Sequence, residues 1–211
     1  MNHDIAWPGS VRPGGRTARV RESVLRVTGD VLADRGLTGL DLSEVATAAG
    51  VGKTTVYRRW RTPAGLVADL LVEMAEQSLP RADTGTLLDD LTANARLVAK
   101  TLTDPRQGNL FRAVIAAAAA DPATAAALHS FYDTRLEEWA PCVENAVVRG
   151  EAPVGTDPRA VLSAVSAPLY YHLLASGDPI DEDVADRSAR AATVATIAGT
   201  FIVDDWAGQP S

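Results

Sequence analysis

The chain has 211 residues, of which 46% are hydrophobic and 22% charged, so a globular core is within reach and global disorder is excluded. No apolar run reaches the roughly 18–20 residues of a membrane-spanning helix, the first fifteen residues lack the apolar stretch of a secretory signal, and a lone cysteine, Cys142, excludes an intrachain disulfide framework. The net charge of −7 is uneven: residues 1–61 carry 10 Lys/Arg against 6 Asp/Glu, a balance of +4, and residues 62–211 carry 10 against 21, a balance of −11. An acidic protein is a poor general polyanion binder, but the field at a binding surface is set locally.

Residues 1–15 hold Pro8, Gly9, Pro13, Gly14 and Gly15 with little periodicity and are read as a flexible arm. From Thr17, Val20, Val24, Val27, Val31 and Leu32 recur at helical spacing until Gly36 stops the helix. Asp41 is the expected cap of a second helix, with Glu44 completing a capping box. That helix runs to about Ala49, a third begins after Gly52, and Thr62-Pro63 opens a fourth, with proline at the first helical position. Beyond it, Asp104-Pro105, Asp121-Pro122, Asp157-Pro158 and Asp178-Pro179 are each expected to open a helix, because Asp caps and Pro is tolerated in the first turn. Gly150 and Gly177 are expected helix ends. No strand pattern or internal repeat is visible. The fold class is all-α with about nine helices: an arm at 1–15, a helix–turn–helix domain at 16–61 and a larger helical domain at 62–211.

The stretch from Ala46 to Trp60 carries the functional signal. It reads as a short helix, a tight turn at Gly50 where a positive φ is needed, and a second short helix able to enter the DNA major groove. Leu42, Val45, Val51 and Val56 lock the two helices together, Ala46 lets them cross closely, and Trp60 plugs the core beneath. Lys53, Thr54, Thr55, Tyr57, Arg58 and Arg59 are left to divide between DNA and solvent, and are the candidate DNA-binding residues. Lys53 and the helix-start amides suit a phosphate. Thr54 and Thr55 are short enough for base edges, Tyr57 can bond a phosphate, and Arg58 and Arg59 reach phosphate or guanine.

Other chemistries find less support. Gly52-Lys53-Thr54 resembles the end of a phosphate-binding loop, but Thr47 stands where that motif needs glycine. His3, His129 and His172 have no metal-site spacing, and Cys142 has no neighbour to activate it, so a buried structural thiol is expected. Glu137-Glu138 and Asp181-Glu182-Asp183 are charge runs, the latter suited to a first helical turn. No catalytic constellation, cofactor or metal is expected.

Val45-Ala46…Ala49-Gly50-Val51, followed by Thr55-Val56-Tyr57-Arg58-Arg59-Trp60, resembles the N-terminal pattern of the tetracycline-repressor (TetR) family of bacterial transcription regulators. The likeness covers roughly residues 17–70. It implies a homodimer that binds palindromic double-stranded operator DNA and releases it when a small-molecule inducer occupies the C-terminal domain. One departure is local: where the family often has Lys-Glu early in its fourth helix, with the Lys on a phosphate, this chain has Pro63-Ala64. Arg61 or Arg59 is a possible substitute.

In the C-terminal domain, Phe111, His129, Phe131, Tyr132, Trp139, Tyr170, Tyr171 and His172 stand out against an alanine-rich background that leaves room for a pocket. Phe111, Tyr132, Trp139 and Tyr170 are the expected ligand-binding residues. The segments 159–176 and 183–203 carry small residues at three-to-four spacing, and Pro168 is expected to kink the first. By the resemblance these two helices pair with their mates in a four-helix dimer interface, with Ala164, Pro168, Ala195, Ile197 and Phe201 in it. The expected function is a cytoplasmic, ligand-responsive repressor. The alternative is a dimeric small-molecule-binding or DNA-associated protein that regulates no promoter.

Overall fold

The computed structural model describes residues 14–77 and 81–203; most of the expected arm, with His3, lies outside them. The described residues form nine α-helices: α1 (Gly14–Arg35), α2 (Leu42–Ala48), α3 (Lys53–Trp60), α4 (Pro63–Glu76), α5 (Leu87–Thr103), α6 (Pro105–Ala118), α7 (Pro122–Arg149), α8 (Pro158–Tyr171) and α9 (Glu182–Ile197). Their only β feature is one antiparallel bridge between Thr156 and Ile202. The all-α reading therefore holds.

Helix starts follow local capping chemistry. Asp104 accepts the N–H groups of Arg106 and Gln107 at 3.1 and 2.8 Å, Asp121 that of Thr124 at 2.8 Å, and Asp157 that of Arg159 at 2.8 Å. Each bond satisfies amides that no preceding helical turn can. Asp178-Pro179 does not open a helix. Asp181 caps α9 instead, accepting from Val184 N–H at 2.9 Å, and Glu182 and Asp183 fall in the first turn, where the helix dipole favours acid. Three acids in a row outcompete one Asp-Pro pair. The capping box at α2 is half-formed: Asp41 accepts from Ser43 and Glu44 at 2.8 and 2.9 Å, but Glu44 pairs with Arg35 at 3.1 Å.

One further expectation changes, at the end of α9, whereas the segment before it ends at Gly177 as expected. α8 runs through Pro168, which lacks the N–H for an intrahelical bond, and gives way after Tyr171 to a single π-helical turn, His172–Ser176. α9 stops at Ile197, not near residue 203. Gly199 takes φ +78°, a conformation open to glycine at little cost, and Thr200 N–H closes the end on the Ala195 carbonyl at 3.0 Å. The chain then doubles back, with Asp157 N–H donating to the Phe201 carbonyl at 2.8 Å.

Two apolar clusters hold the helices. One takes Val24, Leu25 and Leu32 of α1, Val45 and Ala46 of α2, Val56 and Trp60 of α3, and Leu66, Val67, Leu70 and Leu71 of α4. This N-terminal core runs past residue 61 into α4 and reaches Leu110, Val114 and Leu128 of α6 and α7. The other is built from α5, α7, α8 and α9 around Phe111 and Trp139. Met74, Ile115 and Phe131 pack against both, so α4 and α6 join one core to the other. Burying each such large side chain contributes about 1.5–3 kcal/mol.

Candidate nucleic-acid interface and ligand cavity

The helix–turn–helix forms because α2 and α3 each have a single apolar face. Leu42, Val45 and Ala46 on α2 meet Val56 and Trp60 on α3, all buried. Gly50 takes φ +67°, which lets Val51 N–H return to the Ala46 carbonyl at 2.9 Å. Ser23 of α1 donates its hydroxyl to the Ala49 carbonyl at 3.1 Å and ties the turn to the body. Opposite the buried face, Lys53, Thr54, Tyr57 and Arg58 are exposed and Thr55 is half-buried. Positions 53, 54, 57 and 58 share one face by helical spacing.

Arg59 departs from this group. Its guanidinium carbon lies 5.1 Å from the Trp60 ring centroid, within cation–π range. Its Nε is 3.8 Å from Asp69 Oδ2. The side chain is thus turned toward α4. Arg61 is exposed and forms no ion pair among the described residues.

The α3–α4 corner is tight. Arg61 has φ 58° and ψ −41°, and Thr62 N–H donates to the Trp60 carbonyl at 2.6 Å. Together these make a γ-turn with positive φ, a rare and strained conformation. A Cβ on Gly65 would collide with the Trp60 carbonyl oxygen, so the corner needs glycine there. Trp60 Nε1–H donates to Asp69 Oδ2 at 2.8 Å. Asp69 Oδ1 accepts from Arg21 Nε and Nη2 at 3.0 and 2.8 Å, and Arg21 Nη1 reaches Glu73 Oε1 at 3.2 Å.

Burial alone would raise the Asp69 pKa, but the hydrogen bonds from Arg21 and Trp60 outweigh it and hold the carboxyl below its usual range. Glu73 goes the other way. Burial, with Asp69, Glu22 and Glu76 nearby, raises it despite Arg21, because it has one contact to the guanidinium where Asp69 has two. Asp69 and Arg21 were missed by sequence reasoning. The available signal was Trp60 itself, since a buried indole N–H needs an acceptor.

A cavity of about 980 Å³ opens between α1, α4, α5, α6, α7 and α8. Phe111, Tyr132, Trp139 and Tyr170 all line it. Phe111, Phe131, Tyr132 and Tyr170 form a closed cycle of tilted and edge-to-face rings, with centroids 5.6, 5.4, 5.7 and 6.5 Å apart in turn. Phe131 thus joins the wall, although it was not among the four residues singled out. Burial pushes the Tyr132 phenol up to about 12 and raises Tyr170 well above its ordinary value. Arg135, desolvated on the same wall, pairs with Glu138. Leu70, Glu73 and Met74 bring α4 to the cavity.

On the outer side of α8 and α9, Pro168, Tyr171, Val194 and Ile197 are exposed, the last three at 62%, 67% and 59%. Ala164 and Phe201 pack against their own chain's core, and Ala195 is half-buried. Cys142 is buried, and its thiol is pushed up to about 12 by burial. His129 is exposed and His172 half-buried. Among the described residues no group of three or more His, Cys, Asp or Glu is placed to hold a metal ion, and no helix is long and apolar enough to cross a membrane.

A helix–turn–helix with a basic, solvent-facing second helix, mounted on a larger all-α body, defines a helix–turn–helix DNA-binding regulator. The pattern of "Bacterial regulatory proteins, tetR family" matches residues 24–70, and that of "Tetracyclin repressor-like, C-terminal domain" matches residues 81–192. The chain belongs to the TetR family of transcriptional regulators. It is 30% identical over 162 residues to the DNA-binding transcriptional repressor TetR of Mycobacteroides abscessus, covering 76% of this chain and 84% of that protein. It is 29% identical over 165 residues to the HTH-type transcriptional regulator AqdR of Rhodococcus erythropolis, covering 78% and 79%. Among solved structures, the TetR family transcription regulator SCO0332 superposes with a TM-score of 0.67 at 26% identity, covering 86% of this chain and 98% of that one.

Proposed function

We propose that this regulator is a cytoplasmic repressor that binds palindromic operator DNA as a homodimer and leaves it when a small molecule fills the cavity. The observation that carries the reading is the α3 surface: Lys53, Thr54, Tyr57 and Arg58 on one exposed face, above a core that fixes the helix. Lys53 and Arg58 take phosphate, Thr54 and Thr55 meet base edges, and Tyr57 hydrogen-bonds the backbone. Arg59 contributes chiefly through Trp60, and Arg61 takes the phosphate otherwise left to the Lys that Pro63-Ala64 replaces.

The exposed Pro168, Tyr171, Val194 and Ile197 support dimerisation through α8 and α9, with Ala195 at the edge of the interface and Ala164 and Phe201 bracing it from within. Two-fold symmetry then presents two copies of α3 to successive major grooves. Ligand release is a population shift. A molecule that prefers a conformer with wrongly spaced recognition helices lowers operator affinity by its differential binding, about 1–3 kcal/mol in typical couplings.

The test is a gel shift of the purified chain against DNA upstream of its own coding sequence. A specific shift is expected, and it should be lost in the Thr55→Ala/Tyr57→Phe double variant. No specific shift at low salt sinks the repressor reading. Normal binding by the double variant sinks the contact assignment alone.

A further inference from the structure

Granted the ligand-release reading above, the α5 wall of the cavity narrows what can fill it. Asn94, Leu97, Val98 and Thr101 line the cavity from one face of that helix, at its three- and four-residue spacings. Asn94 is buried, at 8% exposure. No side-chain hydrogen bond engages its amide among the described residues, and neither amide atom is sealed off without a partner in the way that Trp139 Nε1 is. The amide therefore opens onto the cavity that the residue lines.

Other polar groups on the walls are engaged or within reach of water. Thr101 and Ser166 spend their hydroxyl protons on carbonyls of their own helices, Leu97 at 3.0 Å and Leu162 at 3.2 Å. Glu73 accepts from Arg21 at 3.2 Å, and Arg135 pairs with Glu138. Tyr132 and Tyr170 turn their hydroxyls toward each other. Gln107 and Lys100 also line the cavity with no side-chain partner among the described residues. Gln107 is half-buried and Lys100 exposed, so water serves them beside an occupant. Asn94 has no such recourse. An occupant that displaces its water must offer an acceptor to the amide N–H and a donor to the amide oxygen, or leave both unsatisfied, a state that native interiors rarely keep. The two groups share one planar amide, so the matching donor and acceptor must be adjacent too.

The ring cycle of Phe111, Phe131, Tyr132 and Tyr170 lines the same cavity and suits a flat, polarizable frame. We infer that the cavity takes a flat aromatic molecule with an N–H donor and a carbonyl side by side on one edge, as in a lactam, and that the Asn94 amide pairs with that edge through two hydrogen bonds. Asn94 is thereby a specificity-determining residue of the ligand site.

The test uses three flat probes of nearly the same shape: phenanthridinone, a lactam; benzocoumarin, the lactone with a ring oxygen in place of that N–H; and phenanthrene, with neither group. Binding to the full chain is measured by equilibrium dialysis without DNA. The lactam should bind about fivefold or more tighter than the lactone. In Asn94→Leu, which keeps the shape of the side chain and removes the amide, the ratio of lactam to phenanthrene affinity should fall about tenfold or more. Equal binding of lactam and lactone by the unaltered chain overturns the inference, whether or not the variant folds. So does an unchanged ratio in Asn94→Leu, or the failure of all three probes to bind. A chain that prefers the lactam but shifts no upstream DNA overturns the repressor reading and leaves this one standing.

Discussion

The Trp60 indole donates to one oxygen of the Asp69 carboxylate at 2.8 Å, while Arg21 occupies the other. One acid thus joins the end of the recognition helix to α1 and α4. Asp69→Ala removes the acceptor and strands both donors, so a loss of about 2–3 kcal/mol is expected in urea unfolding. Asp69→Asn should cost less, because its amide oxygen still serves Trp60. The sign with pH follows from the lowered Asp69 pKa. Its stabilisation is present above the ordinary carboxylate range, about pH 4, and is lost as pH falls through the depressed value. Glu73, raised by burial, opposes this in part because it protonates earlier in the folded state. The stability gap between the unaltered chain and Asp69→Asn should therefore shrink on going from neutral to strongly acidic buffer. A constant gap refutes the assignment.

Salt dependence ranks the basic residues. Each phosphate neutralised adds about 0.9 to the slope of log affinity against log salt. Lys53→Ala, Arg58→Ala and Arg61→Ala should each lower the operator-binding slope by about one. Arg59→Ala should change it less, because that guanidinium lies over Trp60 and near Asp69. Fluorescence-anisotropy titrations at several salt concentrations decide this, and equal slopes for Arg59→Ala and Arg58→Ala would contradict it.

Gly65→Ala places a methyl against the Trp60 carbonyl. Backbone cannot yield as a flexible side chain can, so destabilisation of about 1–3 kcal/mol is expected. Circular-dichroism melting measures it. Gly52→Ala, where the nearest atom to an added Cβ is 3.9 Å away, is the matched control and should melt close to the unaltered protein.

If α8 and α9 make the dimer, a charge in their exposed apolar face should break it. Ile197→Asp and Val194→Glu are expected to sediment as folded monomers and to lose most operator affinity. A dimer that persists in both places the interface elsewhere.

Cys142 should resist thiol reagents in the native protein at mildly alkaline pH, because burial keeps it protonated and the thiolate is the reactive form. Labelling should appear on denaturation. Fast stoichiometric labelling of the native chain is the contrary result.

Much of this was legible because it is local. Asp104, Asp121 and Asp157 cap helices through amides two or three residues away, so the sequence alone sufficed. Asp178 failed because a stronger start, Asp181 with two following acids, lay within the same few residues. The Gly199 reversal was hidden by an alanine-rich run that reads as uninterrupted helix. Phe111, Tyr132, Trp139 and Tyr170 stood out as bulk against alanine. Phe131 could not be ranked with them, because its place in the ring cycle depends on how α6, α7 and α8 cross. Arg59 has the charge of the residues on the exposed face, but a neighbouring indole and a carboxylate ten residues on, which charge and spacing do not reveal, turn its side chain toward α4.

The strained turn at Arg61 leaves no slack between α3 and α4, and Gly65 and Asp69 hold the two helices face to face. Any tilt of α4 must therefore carry α3 with it, and the side chains on the exposed face of α3 keep their mutual geometry. Which sequence is read and how firmly it is held then become separable properties. Under the proposed function, occupancy of the cavity would tune the grip of two such helices and leave the alphabet recognised by each the same.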